Sequence, residues 1–295
     1  MQEPVVSVVM PLYNKERYVG RAVASVMAQT EGRLELLVID DGSADAGPAA
    51  AKAAGDGRCR VLPYPNGGVS VARNRGVAAA RAPLVAFLDA DDAWEPGFLA
   101  AALGALARYP SAVAAFSNIA EEGYPQGSLP RRGGERLIVD YPRWFATHRG
   151  LGLWSSNTVC RKAALLAAGG FPPGVQNGED TDTWMRLSFQ GPVAYVPAAL
   201  ARYELGDQES LSKRVRAVRP RALDSLEAEL ASGRLTARGA DGARLAASYL
   251  RLAYAAALAQ EGRRREALKE AAAARPRPAL ARAYARAAYA LLTGR

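Results

Sequence analysis

The stretch FLDADDAW, Phe87 to Trp94, places Asp89, Asp91 and Asp92 within four positions, directly after the apolar run LVAFL. A buried strand that ends in so much negative charge needs either a cation or a set of backbone donors. Carboxylates in an Asp-x-Asp spacing suit a hard divalent cation that fills its remaining positions with phosphate and water. Aspartates after a strand also close turns and cap the next helix. Two more acidic clusters stand elsewhere: DDGS at 40–43, after the apolar run LELLVID, and NGEDTDTWMRL at 177–187, with Glu179, Asp180 and Asp182. A positioned carboxylate is a common general base. NGGVSVARNRG, 66–76, supplies glycines before a helical pattern and a nearby Arg73. A helix N-terminus of that kind accepts an anion through its free backbone N–H groups.

The elements that must position these groups follow from hydrophobic period. VVSVVM (5–10), LELLVID (34–40), RCRVLPY (58–64) and LVAFLD (84–89) predict four strands. NKERYVGRAVASVMAQ (14–29) and VSVARNRGVAAAR (69–81) predict helices between them. Strand–helix alternation predicts a parallel sheet with helices on both faces. Ligand groups should then gather at the strands' C-terminal ends. PLYN, DDGS and DADD each follow a predicted strand, so all three fall at one edge of one sheet.

The 295 residues are 49% hydrophobic and 23% charged, as in an ordinary globular protein. No apolar run approaches the ~20 residues of a membrane span. The N-terminus has no basic n-region, so no signal peptide is expected. Cys59 and Cys160 lack metal-type spacing and are expected as buried thiols in a reduced, cytoplasmic setting. The charge of +9 is uneven: residues 1–210 hold 20 Lys and Arg against 22 Asp and Glu, whereas 211–295 hold 18 against 7. The basic C-terminal part is either a solvated arginine-rich surface or a surface for anionic lipid or polymer. Its pattern is helical over 219–232, 239–260, 262–273 and 278–292, and the middle of it resembles one tetratricopeptide-type unit.

Four motifs in order, VSVVMPLYNKERYVGRAVASVMAQT, ELLVIDDGSADAG, NGGVSVARNRGVAAARAPLVAFLDADDAWEPGFL and GEDTDTWMRL, resemble the family 2 inverting glycosyltransferases of GT-A fold over roughly residues 4–204. The resemblance implies an α/β GT-A domain at 1–212, with a Rossmann-like nucleotide-sugar half (1–108) and an acceptor half (109–212), followed by the basic helical region 213–295. It implies a metal-dependent, non-processive hexosyl transfer from a UDP- or dTDP-type sugar to a glycan or lipid-linked hydroxyl, in bacterial cell-surface polysaccharide synthesis. Asp91 is then the main ligand of Mn²⁺ or Mg²⁺, and Asp89 reaches the metal or ribose. Pro11, Tyr13 and Asp41 line the base pocket, and Arg73 meets the nucleotide or its diphosphate. Asp180 is the catalytic base, and Glu179 orients the acceptor or assists. Asp92, Asn14 and Asp182 are expected as helix caps, Asp40 as turn support and Arg75 as a surface residue. Trp184 is expected in the core, and Trp154 is a candidate for stacking on an acceptor sugar.

One departure stands out. Many relatives in the resembled family carry a histidine after the last core strand, where this chain has ARYELGDQESLSKR with Tyr203 near that place; its one histidine, His148, lies elsewhere. Ser210, Ser212, Lys213 and Arg214 are the candidates for phosphate contact in its stead. Competing readings are a catalytically inactive nucleotide- or carbohydrate-binding module and a scaffold with a helical docking tail. A sugar nucleotidyltransferase would need a Gly-rich, Arg-containing loop where MPLYNKERY stands. A processive synthase would need Gln-x-x-Arg-Trp and membrane helices. No nucleic-acid partner is expected, and the basic tail is a candidate for peripheral contact with protein or the inner face of the plasma membrane.

Overall fold

The computed structural model describes residues 3–119, 134–175, 177–203 and 217–293. The first half alternates as its periodicity predicts, with α2 as a helix not expected from it: β1 (Val6–Leu12), α1 (Glu16–Met27), β2 (Leu34–Asp40), α2 (Gly47–Ala54), β3 (Cys59–Pro63), α3 (Val69–Ala79) and β4 (Leu84–Phe87). Then come β5 (Ala93–Trp94), α4 (Phe98–Arg108), β6 (Ala114–Ile119), β7 (Arg136–Ile138), α5 (Tyr141–Thr147), β8 (Thr158–Arg161), α6 (Lys162–Ala167), α7 (Glu179–Ser188) and β9 (Val193–Arg202). Four helices follow: α8 (Arg221–Ser232), α9 (Ala237–Gln260), α10 (Arg264–Ala273) and α11 (Ala281–Thr293).

One sheet runs β3-β2-β1-β4-β8-β6-β9-β5, with β7 also on β9. Strands β3, β2, β1 and β4 are parallel, and β8 then joins β4 antiparallel. Leu12 pairs with Asp40 and Val9 with Phe87, so the ends of β1, β2 and β4 share one edge. Val8, Met10, Leu36 and Val38 face the side covered by Val19, Val23 and Phe98; Val9, Leu37 and Ile39 face the side of Ala72, Phe171 and Trp184. Alternate residues of a strand point to opposite faces, so a sheet covered on both sides needs unbroken apolar strands. The VVSVVM and LELLVID runs have that form.

The helix expected directly after the aspartates starts later, at Phe98. Pro96 disfavours helical backbone at Glu95, and Ala93–Trp94 instead pairs with Ala201–Arg202 of β9. The C-terminal helices lie close to their expected positions. α8 and α9 share a core with the sheet: Leu223, Leu226, Ala246 and Leu250 belong to the same apolar cluster as Phe145, Trp184 and Tyr195. Among the described residues, no helix is long and apolar enough to cross a membrane.

Candidate functional site

The three aspartates after β4 have three environments. The Asp92 N–H donates to the Asp89 carbonyl at 3.0 Å, which folds the loop back on itself. Ser156, in the turn Ser155–Asn157 before β8, clasps that loop. Its Oγ accepts from the Asp89 N–H at 3.1 Å and donates to the Asp92 carboxylate, and its carbonyl accepts from Trp94 Nε1 at 2.6 Å. Asp92 is 2% exposed and anchors the loop. It does not cap a helix, because α4 begins six residues on and Gly97 holds the cap position.

Asp89 and Asp91 keep accessible surface, 33% and 20% of the side chain. Asp91 meets Lys15 Nζ at 2.9 Å, and its carbonyl accepts from Arg21 at 2.8 Å. Burial, then the neighbouring charge of Asp89, raises the Asp91 carboxyl above the usual range, while Lys15 pulls it back. Two neighbouring carboxylates attract a cation. Among the described residues no group of three or more His, Cys, Asp or Glu forms a metal cage. A pair of carboxylates still fits a hard cation that takes its other ligands from phosphate and water.

Arg73, on α3, is the hub. Nη2 meets Asp89 at 2.7 Å and Nη1 meets Glu179 at 2.8 Å, at 3% exposure. The guanidinium lies 5.2 Å from the centroid of Phe171, and its buried Nε has no acceptor among the described residues. Burial opposes its charge, but Asp89 and Glu179 outweigh that and hold it more firmly protonated. Asn74 steadies the facing loop, donating to the Phe171 carbonyl at 2.7 Å and accepting from its N–H at 2.9 Å. One arginine thus ties the loop after β4 to the first turn of α7.

Asp180 is the second residue of α7. Its Oδ1 accepts from the Thr181 N–H at 2.6 Å. Burial, reinforced by Glu179 and opposed by Arg73, raises its carboxyl to about 7. That is where a base can both be ionised and retain proton affinity near neutral pH. Asp182, expected as a cap, instead turns inward at 1% exposure to meet Arg186 at 2.7 Å and Ser225 of α8.

Asp41 is 3% exposed. Its Oδ1 accepts from the Gly67 N–H at 2.9 Å and from Arg75 at 3.0 Å, and its Oδ2 from the Gly68 N–H at 2.7 Å. Arg75 also lies 4.7 Å from the Tyr64 ring centroid, so it is part of this pocket and not a bystander on the surface. Asp40 accepts from the Ser43 N–H at 2.9 Å and supports the turn as expected. Pro11 is half-buried at the end of β1, and Tyr13 beyond it is 52% exposed. Asn14 does not cap α1. At φ 52° it accepts from the Ala44 N–H at 2.8 Å, joining the loops after β1 and β2, while Asp45 caps α1 through the Glu16 N–H at 2.8 Å.

Trp184 is fully buried between Phe87 and Phe171. Trp154 is half-buried with Tyr203 edge-on at 6.2 Å. His148 stacks on Trp144 at 3.7 Å and belongs to that packing. Ser210, Ser212, Lys213 and Arg214 lie outside the described residues. Cys160 is buried, with its thiol pushed up to about 12 by burial, and Cys59 is half-buried; both are free. Sequence reasoning missed Ser156 and Lys15. Lys15 carried a usable signal, since it follows PLYN at the strand edge; Ser156 carried none.

A parallel half-sheet with carboxylates gathered at its C-terminal edge, extended by a second half of mixed strand direction, is the GT-A architecture. The fold matches Staphylococcus aureus TarS 1-349, solved in complex with UDP-GlcNAc, at TM-score 0.69 and 15% identity over 90% of this chain and 89% of that one. It also matches the mannosyltransferase PcManGT of Pyrobaculum calidifontis, solved with GDP-Man and Mn²⁺, at TM-score 0.65 and 21% identity over 99% and 81%. Residues 7–165 match the glycosyl transferase family 2 model, and the chain belongs to that family. The succinoglycan biosynthesis protein ExoU of Rhizobium meliloti is 41% identical over 97 residues, 32% of this chain and 28% of ExoU. EpsH of Bacillus subtilis is 39% identical over 100 residues, and the aligned stretch spans only 29% of its length.

Proposed function

We propose that this chain is an inverting, non-processive glycosyltransferase that moves one hexosyl group from a UDP- or dTDP-type sugar to a hydroxyl of a glycan or lipid-linked acceptor. The setting is bacterial surface-polysaccharide synthesis at the cytoplasmic face of the plasma membrane. The observation that carries the reading is the Arg73 bridge, which joins Asp89 to Glu179 beside Asp180. It sets donor-side carboxylates against a candidate base with a raised pKa.

In this reading Asp91 and Asp89 hold a divalent cation, Mn²⁺ or Mg²⁺. When bound, that ion neutralises charge on the departing diphosphate. Lys15 and Arg73, which balance the two aspartates, would supply positive charge beside the diphosphate. The Asp180 carboxylate takes the proton of the acceptor hydroxyl as its oxygen bonds to the anomeric carbon. The bond from that carbon to the phosphate oxygen breaks, and its electron pair leaves with the nucleoside diphosphate. Glu179, fixed by Arg73, orients the acceptor. Pro11 and Tyr13 flank the base. A carboxylate has about four acceptor positions, and the described residues fill three at Asp41. One remains, which suits the single imide N–H of uracil or thymine better than the paired donors of guanine.

Thermal-shift titration with UDP-, dTDP- and GDP-sugars, each with and without Mn²⁺, tests this. Ligand that binds the folded state raises its apparent stability by mass action. A pyrimidine nucleotide should give the largest shift, with Mn²⁺ adding to it in the wild type and not in Asp91→Ala. Equal Mn²⁺ enhancement in both proteins removes Asp91 from the metal site. Tight nucleotide binding without turnover on any acceptor would favour an inactive binding module.

A further inference from the structure

The last two helices carry a charge pattern that the transfer reaction does not use. Residues 211–295 contain seven acids: Asp224, Glu227, Glu229, Asp241, Glu261, Glu266 and Glu270. Every one is held in an ion pair by Arg219, Arg234, Arg251, Arg263, Arg277 or Arg143. Glu266 alone stays well exposed on α10, paired with Arg263 and near Lys269. Arg264, Arg265 and Lys269 on α10, Arg275 after it, and Arg282 and Arg286 on α11 are exposed. None of these six makes an ion pair among the described residues. A surface built only for solubility interleaves both signs; this one carries cations in excess of its acids, each of which is already paired with an arginine.

The cations sit on or just after two helices that both pack against α9. α10 packs through Ala267 and α11 through Ala290 into an apolar cluster with Ala255, Ala256 and Ala259 of α9. Their opposite faces therefore look away from the protein. On α11, Arg282, Arg286, Tyr289 and Thr293 recur at helical spacing, with Leu292 beside them. On α10, Leu268 follows Arg264 and Arg265 by one turn. Leu268, Tyr289 and Leu292 are 57%, 57% and 81% exposed, three of the few large apolar side chains open to solvent. Cations around isolated apolar side chains on a helical face form the pattern of an interfacial membrane contact. A nucleic-acid surface has the cations but no use for the leucines.

We infer that the outer face of α10 and α11 is a docking surface for anionic phospholipid, holding the chain against a membrane leaflet. This does not need the transfer reaction, since lipid binding and turnover fail separately. The test is co-sedimentation of the full chain with phosphatidylglycerol–phosphatidylcholine vesicles, beside pure phosphatidylcholine vesicles. Each Lys or Arg near an anionic surface contributes about fivefold in partitioning. Arg264→Gln with Arg265→Gln should lower binding to the anionic vesicles about 25-fold. Removing the same number of charges by Lys52→Gln with Arg60→Gln, at the far parallel edge of the sheet, should leave it unchanged. Tyr289→Ser with Leu292→Ser should remove the part of binding that survives high salt. The inference is overturned by absent vesicle binding, by equal binding to neutral vesicles, or by equal losses in the two charge pairs. Circular dichroism of each variant separates lost docking from lost fold.

Discussion

Replacing Asp180 with asparagine probes the site without relying on turnover alone. Burial and Glu179 raise this carboxyl from 3.8 to about 7 in the folded chain. An acid raised on folding costs stability once it must ionise. The stability is whole below the unfolded pKa of 3.8 and is lost progressively as pH climbs through about 7. At ~1.4 kcal/mol per pKa unit, the loss between about pH 5.5 and about pH 8 is ~2 kcal/mol for a fully buried group. Asp180 keeps part of its surface, and screening trims this to ~1–2 kcal/mol. Asparagine carries no charge and escapes the loss. The Tm of Asp180→Asn, measured against wild type, should therefore gain roughly 2–6 °C on going from about pH 5.5 to about pH 8. The same titration should appear in the wild type as a ~10-fold rise in kcat/KM between about pH 6 and about pH 8, and Asp180→Asn should lose transfer while binding nucleotide normally. A Tm difference that stays flat with pH refutes the raised pKa, and a variant that turns over normally refutes the base.

Two further substitutions test the supports of the site. Ser156→Ala removes the acceptor for the Asp89 N–H and a donor to Asp92; it should cost ~1–3 kcal/mol in urea unfolding and weaken donor binding, and an unchanged midpoint would show that the clasp holds nothing. Gly76→Ala places a Cβ 2.2 Å from Val9 Cγ1, where α3 presses on β1; it should cost ~1–3 kcal/mol or more by overpacking, whereas an unchanged urea midpoint would mean that α3 can slide outward.

The sheet edge was legible because strand period and turn chemistry are local. Apolar runs fixed β1 and β2, and every polar cluster that follows a parallel strand must meet the others at one edge. Partners across the chain were not legible. Asp92 looks like a cap because aspartate before a helix usually is one; its neighbour Ser156 lies 64 residues away. Arg75 looks like a surface residue until the chain folds back to bring Asp41, 34 residues earlier, against it. Asn14 and Asp182 followed the same course, each spending its side chain on a distant element. The tail helices could be placed from their alanine and leucine spacing, but spacing does not name the neighbour. Nothing in the sequence of α8 announces that Ser225 will meet Asp182.

That last contact bears on how this chain can be recombined. The helix that carries Asp180 is held at Asp182 by Ser225, and Leu223 and Leu226 lie in the same apolar cluster as Trp184. A chimaera joined at residue 212 would pair a foreign tail with the native α7 and alter the footing of Asp180 without touching it. A crossover that leaves α8 with its own α7, placed in the Gly233 turn before α9, keeps that footing intact. In exchanges between relatives, α8 therefore travels with the helix of the candidate base, whatever the outer helices are asked to bind.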